Sequence, residues 1–366
     1  MTATASSLPL HERLKAYQKT INLEIGDYSE RLLTRTATEY TPYSHDALNS
    51  YITLLQRGGK RIRGALGMAG YGLAGGQDEQ LARRIALVLE MIHAYLLVID
   101  DIADRSDMRR GGPTAHKIIE AEHKAKDYHG DGTHFGEAIA MHAGLMGGHL
   151  AVQELCALPA ADSVKLEAVS LLNQIIVRTA HGQFNDIYNE VVDRVDERQV
   201  LDTLRWKTAA YTIVNPLQMG AIIAGADAID MAPIEDFGER LGLAFQLTDD
   251  ILGTFGRDEE TGKSCRDDMN EGKITLMVAR TLQRGNDDQK AAIRTALGNP
   301  RATDEQFAAF QAAIEDSGSL HYCREMVADL VARSVQSLDE LPAEWRGREQ
   351  WRFLRDLARY IQNRTR

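Results

Sequence analysis

The segment ARRIALVLEMIHAYLLVIDDIAD (82–104) starts amphipathic and turns almost wholly apolar before it meets its aspartates. A helix that is apolar all round belongs in the centre of a bundle. This stretch therefore predicts a buried helix with acid at its far end. The same helical spacing recurs at 165–187, 204–225, 234–256, 304–319 and 323–341. Strand-type alternation is scarce, and no G-x-G-x-x-G opens a helix after a strand. Gly75-Gly76, Gly111-Gly112-Pro113, Gly225 and Gly298-Asn299-Pro300 punctuate the helices. The expected fold class is all-α, with roughly ten or more helices.

With 366 residues, 44% of them hydrophobic, the chain can bury the core of one oversized domain or two ordinary ones. Only eight prolines occur and no Pro/Gly/Ser-rich linker interrupts, which favours a single domain over 1–366. Cys156, Cys265 and Cys323 lie far apart and read as free thiols of a reducing, cytoplasmic setting. Neither a signal-peptide pattern nor about 18 uninterrupted apolar residues is present, so no transmembrane segment is expected. A formal charge of −11 argues against nucleic acid as a partner. It leaves a small anionic substrate open, because RGGKRIR (57–63) is a basic exception to the acidic average.

Asp100 and Asp104 are four apart and share a helix face. At a separation of about 4 Å and an effective dielectric constant of about 20, their repulsion is of order 4 kcal/mol. A cation turns that cost into binding, and oxygen-only donors favour Mg²⁺ completed by water and phosphate. Asp249-Asp250, after the apolar run FGERLGLAFQL (237–247), repeats the pattern. One such pair reads as a solvated helix end. Two, each behind apolar sequence and ahead of basic residues, make better sense around shared metal ions. Lys60 and Arg63 lie three apart, Arg109-Arg110 follow the first cluster, and Lys207, Lys263 and Lys273 are further cations. Arginine offers a donor fork to phosphate and lysine a compact charge, so the set points to metal-assisted diphosphate chemistry. No G-x-x-x-x-G-K-[ST] supports a P-loop. Residues 117–136 read as polar surface, and His116, His123, His129 and His134 match no compact zinc spacing.

The ordered series GGKRIR (58–63), DDIADRSDMRRGGPTAH (100–116), GQFND (182–186), KT (207–208) and FQLTDDILG (245–253) with Gly262-Lys263 resembles the trans-prenyl diphosphate synthases. It is closest in pattern to their actinobacterial geranylgeranyl members. The resemblance implies the type I isoprenoid synthase fold, a large helical bundle around a central cavity, and a homodimer. It implies that isopentenyl diphosphate condenses with an allylic diphosphate, using three Mg²⁺ ions. By the same resemblance Asp100 and Asp104 bridge two ions, and Asp249, supported by Asp250, holds the third. Arg109, Lys207 and Lys263 would neutralise the allylic diphosphate. Lys60, Arg63, Arg110 and His93 would take that of isopentenyl diphosphate, with Lys273 a further substrate contact. Thr208 and Gln246 would stand beside the reacting carbons.

Three positions depart from the family pattern. Gly253 replaces the third aspartate of the second cluster, as in actinobacterial members. Gly64 stands where proline is usual, and Leu145-Met146 where alanine-glycine-aspartate-leucine is usual. By the same resemblance Tyr95, with Leu96 and Ile92 on the same helix, would form a floor that stops growth at C20, with a C15 farnesyl product as the alternative. Two rivals remain in view. A type I terpene cyclase shares the acidic motif but needs no second basic site, and a non-catalytic partner subunit would more readily have lost Asp100, Asp104 or the basic motif.

Overall fold

Tyr17, Ile21, Ile25, Tyr28 and Leu32 recur every three or four residues and are all buried, making Leu10–Glu39 a 30-residue helix, α1. It adds to the helices expected above, because its apolar stripe is thin among polar neighbours. α2 (Pro42–Gln56) starts from Thr41, whose hydroxyl accepts from the Ser44 N–H. α3 covers Ile62–Leu73 and α4 Glu79–Ala103. Asp78 caps α4 by accepting from the N–H groups of Gln80 and Leu81. From that cap α4 runs unbroken to the first acidic cluster, with Ile85 through Ile92 buried all round. This is the central helix the sequence predicts.

In this computed structural model, residues 8–192, 196–256 and 264–364 are described. The chain gathers into two compact units, Met1–Ser170 with Met219–Ala226 and Leu171–Gln218 with Asp227–Arg366. In the first, α5 (Ala115–Ala125) and α6 (Gly132–Cys156) complete the layer around α4. A Cβ at Gly147 of α6 would fall 2.3 Å from the Tyr51 ring. The glycine thus admits Tyr51, whose hydroxyl donates to the Met91 carbonyl at 2.8 Å. Residues 117–136 are largely exposed, as expected, and helical over much of their length. His116, Ile119 and His123, spaced three and four apart, bury one face of α5.

α7 (Asp162–Val191) begins in the first unit and continues into the second, where α8 (Glu197–Leu204) is followed by π-helical backbone over Arg205–Val214. α9 (Asn215–Ile223) comes next, so the single helix expected at 204–225 is three segments. Glycines explain how the wider turn is accommodated. A Cβ at Gly182 would stand 2.3 Å from the Lys207 nitrogen, and one at Gly242 2.5 Å from the Ala209 Cα. Long π turns are rare and concentrate at functional sites. α10 (Ala232–Phe255) carries the second acidic cluster and packs along the helix Ser319–Asp339. The terminal helix Glu349–Asn363 also lies on α10. Among the described residues the one sheet is a hairpin pairing Met108–Arg109 with Gly112–Pro113. No described helix is long and apolar enough to cross a membrane.

Candidate active site

The basic loop of the first unit hangs on a residue that cannot itself reach a ligand. Arg61 is buried, with its backbone in the left-handed region at φ 50°. Its guanidinium donates to Glu90 Oε2 at 3.1 Å, to Asn22 Oδ1 at 2.9 Å and to the Leu55 carbonyl at 2.7 Å. Gln18 of α1 donates to the Gly59 carbonyl at 2.6 Å. With Arg61 turned inward, Lys60 is exposed and Arg63 half-buried. Arg63 donates to His93 Nε2 at 3.2 Å. Because arginine only donates, that nitrogen carries no proton. Burial, then the charge of Arg63 with Arg110, Arg61 and Arg109 behind it, pushes the His93 imidazolium well below the usual histidine range.

This has a consequence for stability against pH. The unfolded chain takes up a proton on His93 near about pH 6.5, whereas the folded chain refuses it. The contribution of His93 is thus constant above that pH and is lost as the pH falls below it. Urea melts between about pH 5 and 8 should show this slope in wild type and a shallower one in His93→Gln. Equal slopes would remove the neutral imidazole from the account.

The second basic motif is a tight hairpin. Arg110 (φ 52°) and Gly111 (φ 73°) form its two-residue turn, both with positive φ as a type I′ turn requires. Arg110 donates to the Arg57 carbonyl at 3.2 Å, and the Arg57 guanidinium donates to the Pro113 carbonyl. The two basic motifs are thereby clasped together. A Cβ at Gly59 would meet the Arg110 guanidinium at 3.1 Å, a tight contact. Asp101, fully buried, accepts from Arg109 Nε at 2.6 Å, and Asp100 Oδ2 lies 3.6 Å from Arg109 Nη2. Burial works against the Arg109 charge, but Asp101 outweighs it and holds the guanidinium above its ordinary value. Asp104, exposed, caps the helix end.

In the second unit the π segment brings Lys207 to Asp186, Nζ to Oδ2 at 2.5 Å, so GQFND and KT meet as one ion pair. Thr208, half-buried, follows. Asp249 and Asp250 lie inside α10, not at its C-terminal end, since the helix continues to Phe255. Asp249 accepts from Arg364 at 2.9 Å. Asp250, buried, accepts from Lys273 at 2.9 Å and from Gln246 at 3.0 Å through the same Oδ1. Burial opposes the Lys273 charge, yet Asp250 and then Asp268 outweigh it and raise the ammonium. Lys263 lies outside the described residues.

Among the described residues no three His, Cys, Asp or Glu side chains converge into a closed metal cage. Asp100 and Asp104 nevertheless fit Mg²⁺, which takes one or two carboxylates and leaves the remaining positions to water and phosphate. Asp104 is solvent-exposed and Asp100 half-buried, so both can meet such a ligand.

The family model described as Polyprenyl synthetase matches residues 45–314. The chain belongs to the polyprenyl synthetase family. A geranylgeranyl diphosphate synthase of Sulfolobus acidocaldarius is 32% identical over 318 residues, covering 82% of this chain and 89% of that protein. Component 2 of the heptaprenyl diphosphate synthase of Geobacillus stearothermophilus is 31% identical, covering 96% and 99%. The crystal structure of a geranylgeranyl pyrophosphate synthase from Corynebacterium glutamicum, complexed with isoprenyl diphosphate and magnesium, superposes with a TM-score of 0.87. Its sequence is 31% identical, with 96% of this chain and 99% of that one covered. The fold is therefore the all-α type I isoprenoid synthase fold. At the level of its family, this polyprenyl synthetase is a trans-prenyltransferase that condenses isopentenyl diphosphate with allylic diphosphates.

The structure also gives this polyprenyl synthetase a physical reason for Gly64. Its N–H donates to Glu90 Oε1 at 3.0 Å, a bond proline cannot make. Leu145 and Met146 stand on the exposed side of α6. Sequence reasoning missed Arg57, Arg61, Glu90, Asp101, Asp186 and Arg364. The Asp186 signal was within reach, since GQFND was already singled out. The chain-length candidates occupy one stretch of α4. Ile92 is buried, Leu96 half-buried, and Tyr95 lies against α6, where a Cβ at Gly148 would be 3.1 Å from its ring.

Proposed function

We propose that this chain makes geranylgeranyl diphosphate by Mg²⁺-dependent addition of isopentenyl diphosphate to allylic primers, as a homodimer and as one catalytic domain. The observation that carries the reading is the clasped basic pair of motifs, Lys60, Arg63 and Arg110, in the same unit as the acidic end of α4. A terpene cyclase would have no second diphosphate for those cations. Asp100 and Asp104 would hold two Mg²⁺ ions and Asp249 a third, with Asp250 fixed behind it by Lys273. When bound, the metal neutralises charge on the departing diphosphate. Arg109, Lys207 and Lys263 add to that neutralisation. The allylic C–O bond breaks, the double bond of isopentenyl diphosphate forms the new C–C bond, and a proton passes to the released diphosphate. Thr208 and Gln246 present dipoles to the allylic cation, while apolar walls keep water from quenching it.

Lys60, Arg63, Arg110 and the neutral His93 serve isopentenyl diphosphate. Arg63→Ala is expected to raise the KM for isopentenyl diphosphate selectively, by about 10-fold or more, as loss of a charged hydrogen bond implies. An effect confined to the allylic substrate would reverse the assignment.

Tyr95 serves as the floor of the product cavity in this reading, supported by its seat against Gly148. A buried CH₂ contributes roughly 0.8 kcal/mol, so growth continues until something blocks it. Sizing of dephosphorylated products should show C20 from wild type and longer chains from Tyr95→Ala. A dominant C15 product from wild type would overturn the C20 reading. The dimer reading is supported by Met141, Leu145 and Met146, exposed along α6. Sedimentation of an active species at the monomer mass of 40.6 kDa would contradict it. Cys156, Cys265 and Cys323 are free thiols, as a reducing cytoplasm would leave them.

A further inference from the structure

The two acidic clusters differ at one position. Asp100 has a carboxylate four residues on, at Asp104, whereas Asp249 has Gly253. The space beside Gly253 is filled. A Cβ there would fall 2.6 Å from Asp268 Oδ2, closer than real Cβ atoms approach, and 3.3 Å from its Cγ. Asp268 comes from the short helix Asp267–Glu271, and its carboxylate reaches the volume that a side chain at 253 would need. Lys273 ties it to the cluster, with Nζ 3.5 Å from Asp268 and 2.9 Å from Asp250. The cluster also holds unspent acceptor capacity, since Asp250 Oδ2 is buried without a hydrogen-bond partner while its Oδ1 takes Lys273 and Gln246.

We propose that Asp268 supplies the carboxylate that the second acidic cluster lacks at position 253, and that it acts on the Mg²⁺–diphosphate set from there. Glycine at 253 is then a requirement of the arrangement and not a loss of function. The inference rests on the prenyltransferase reading above. Gly253 sits one helical turn beyond Asp249, on the same face, so a carboxylate filling that volume stands where Asp104 stands relative to Asp100. Lys273 balances Asp250 and Asp268 together, which lets two close carboxylates coexist before any metal arrives.

The test compares Asp268→Asn, Gly253→Asp and the exchange variant Gly253→Asp/Asp268→Gly with wild type. The primary readout is Mn²⁺ affinity, followed by the paramagnetic signal of free ion, in the presence of an allylic thiolodiphosphate that binds without ionising. Asp268→Asn should weaken the Mn²⁺ that depends on the second cluster by about 10- to 100-fold. Gly253→Asp should weaken it too, and should lower the melting temperature without metal, because the new side chain meets Asp268. The double variant should recover both affinity and melting temperature. Wild-type affinity in Asp268→Asn, or a double variant no better than its weaker parent, would overturn the proposal. Wild-type turnover measured alongside separates the two levels. Active wild type with an indifferent Asp268→Asn defeats this inference alone, whereas wild type that condenses nothing defeats the prenyltransferase reading and this inference with it.

Discussion

Asp100→Ala with Asp104→Ala is expected to leave a folded chain whose condensation rate falls by about 10³-fold or more, the scale on which electrostatic stabilisation of developing charge operates. Both carboxylates lie at the solvent-facing end of α4, and neither belongs to the buried core. Their mutual repulsion is relieved by the substitution, so stability should hold or rise slightly. Circular dichroism and thermal melting check the fold, and a steady-state assay over Mg²⁺ concentration checks the rate. Undiminished turnover in the double variant without divalent metal would end the mechanism.

The second large effect concerns stability. Arg61→Ala or Glu90→Ala alone leaves one charge buried and unpaired, since both side chains are 1% exposed. Breaking such a pair costs about 3–5 kcal/mol, a large part of a domain's total stability. The loss also removes the anchors to Asn22 and Leu55 and frees the Gly64 N–H, so Lys60 and Arg63 should lose their orientation together. Urea unfolding measures the effect. A shift below about 1 kcal/mol in both variants would show that the pair is not the anchor described.

The acidic clusters were legible because their spacing along one helix already states their geometry. α4 and α10 emerged for the same reason, each a long helix whose apolar run leads into its aspartates. What sequence could not give was pairing across distance. Arg61 and Glu90 are 29 residues apart, and Asp249 and Arg364 are 115 apart. No local pattern records that an arginine inside GGKRIR turns inward while its neighbours face out. The break at 204–225 was equally hidden, because π and α turns share their apolar composition and differ through the close approach of Gly182 and Gly242. The hairpin at Met108–Pro113 was too short for any strand period to register.

The cations are similarly divided. Lys60 is solvent-exposed, and Lys207, Lys273 and Arg109 each hold a carboxylate, Asp186, Asp250 and Asp101 respectively. Such pairs orient the lysines and the arginine before substrate arrives, which lowers the reorganisation needed on binding. Arg364, which caps the terminal helix, likewise orients Asp249.

The most direct test incubates the purified chain with isopentenyl diphosphate and, in separate reactions, dimethylallyl, geranyl and farnesyl diphosphate, with and without Mg²⁺. The account predicts Mg²⁺-dependent release of diphosphate and accumulation of a C20 prenyl diphosphate. Absence of any elongated product from all three primers in the presence of Mg²⁺, with the chain folded, would contradict it.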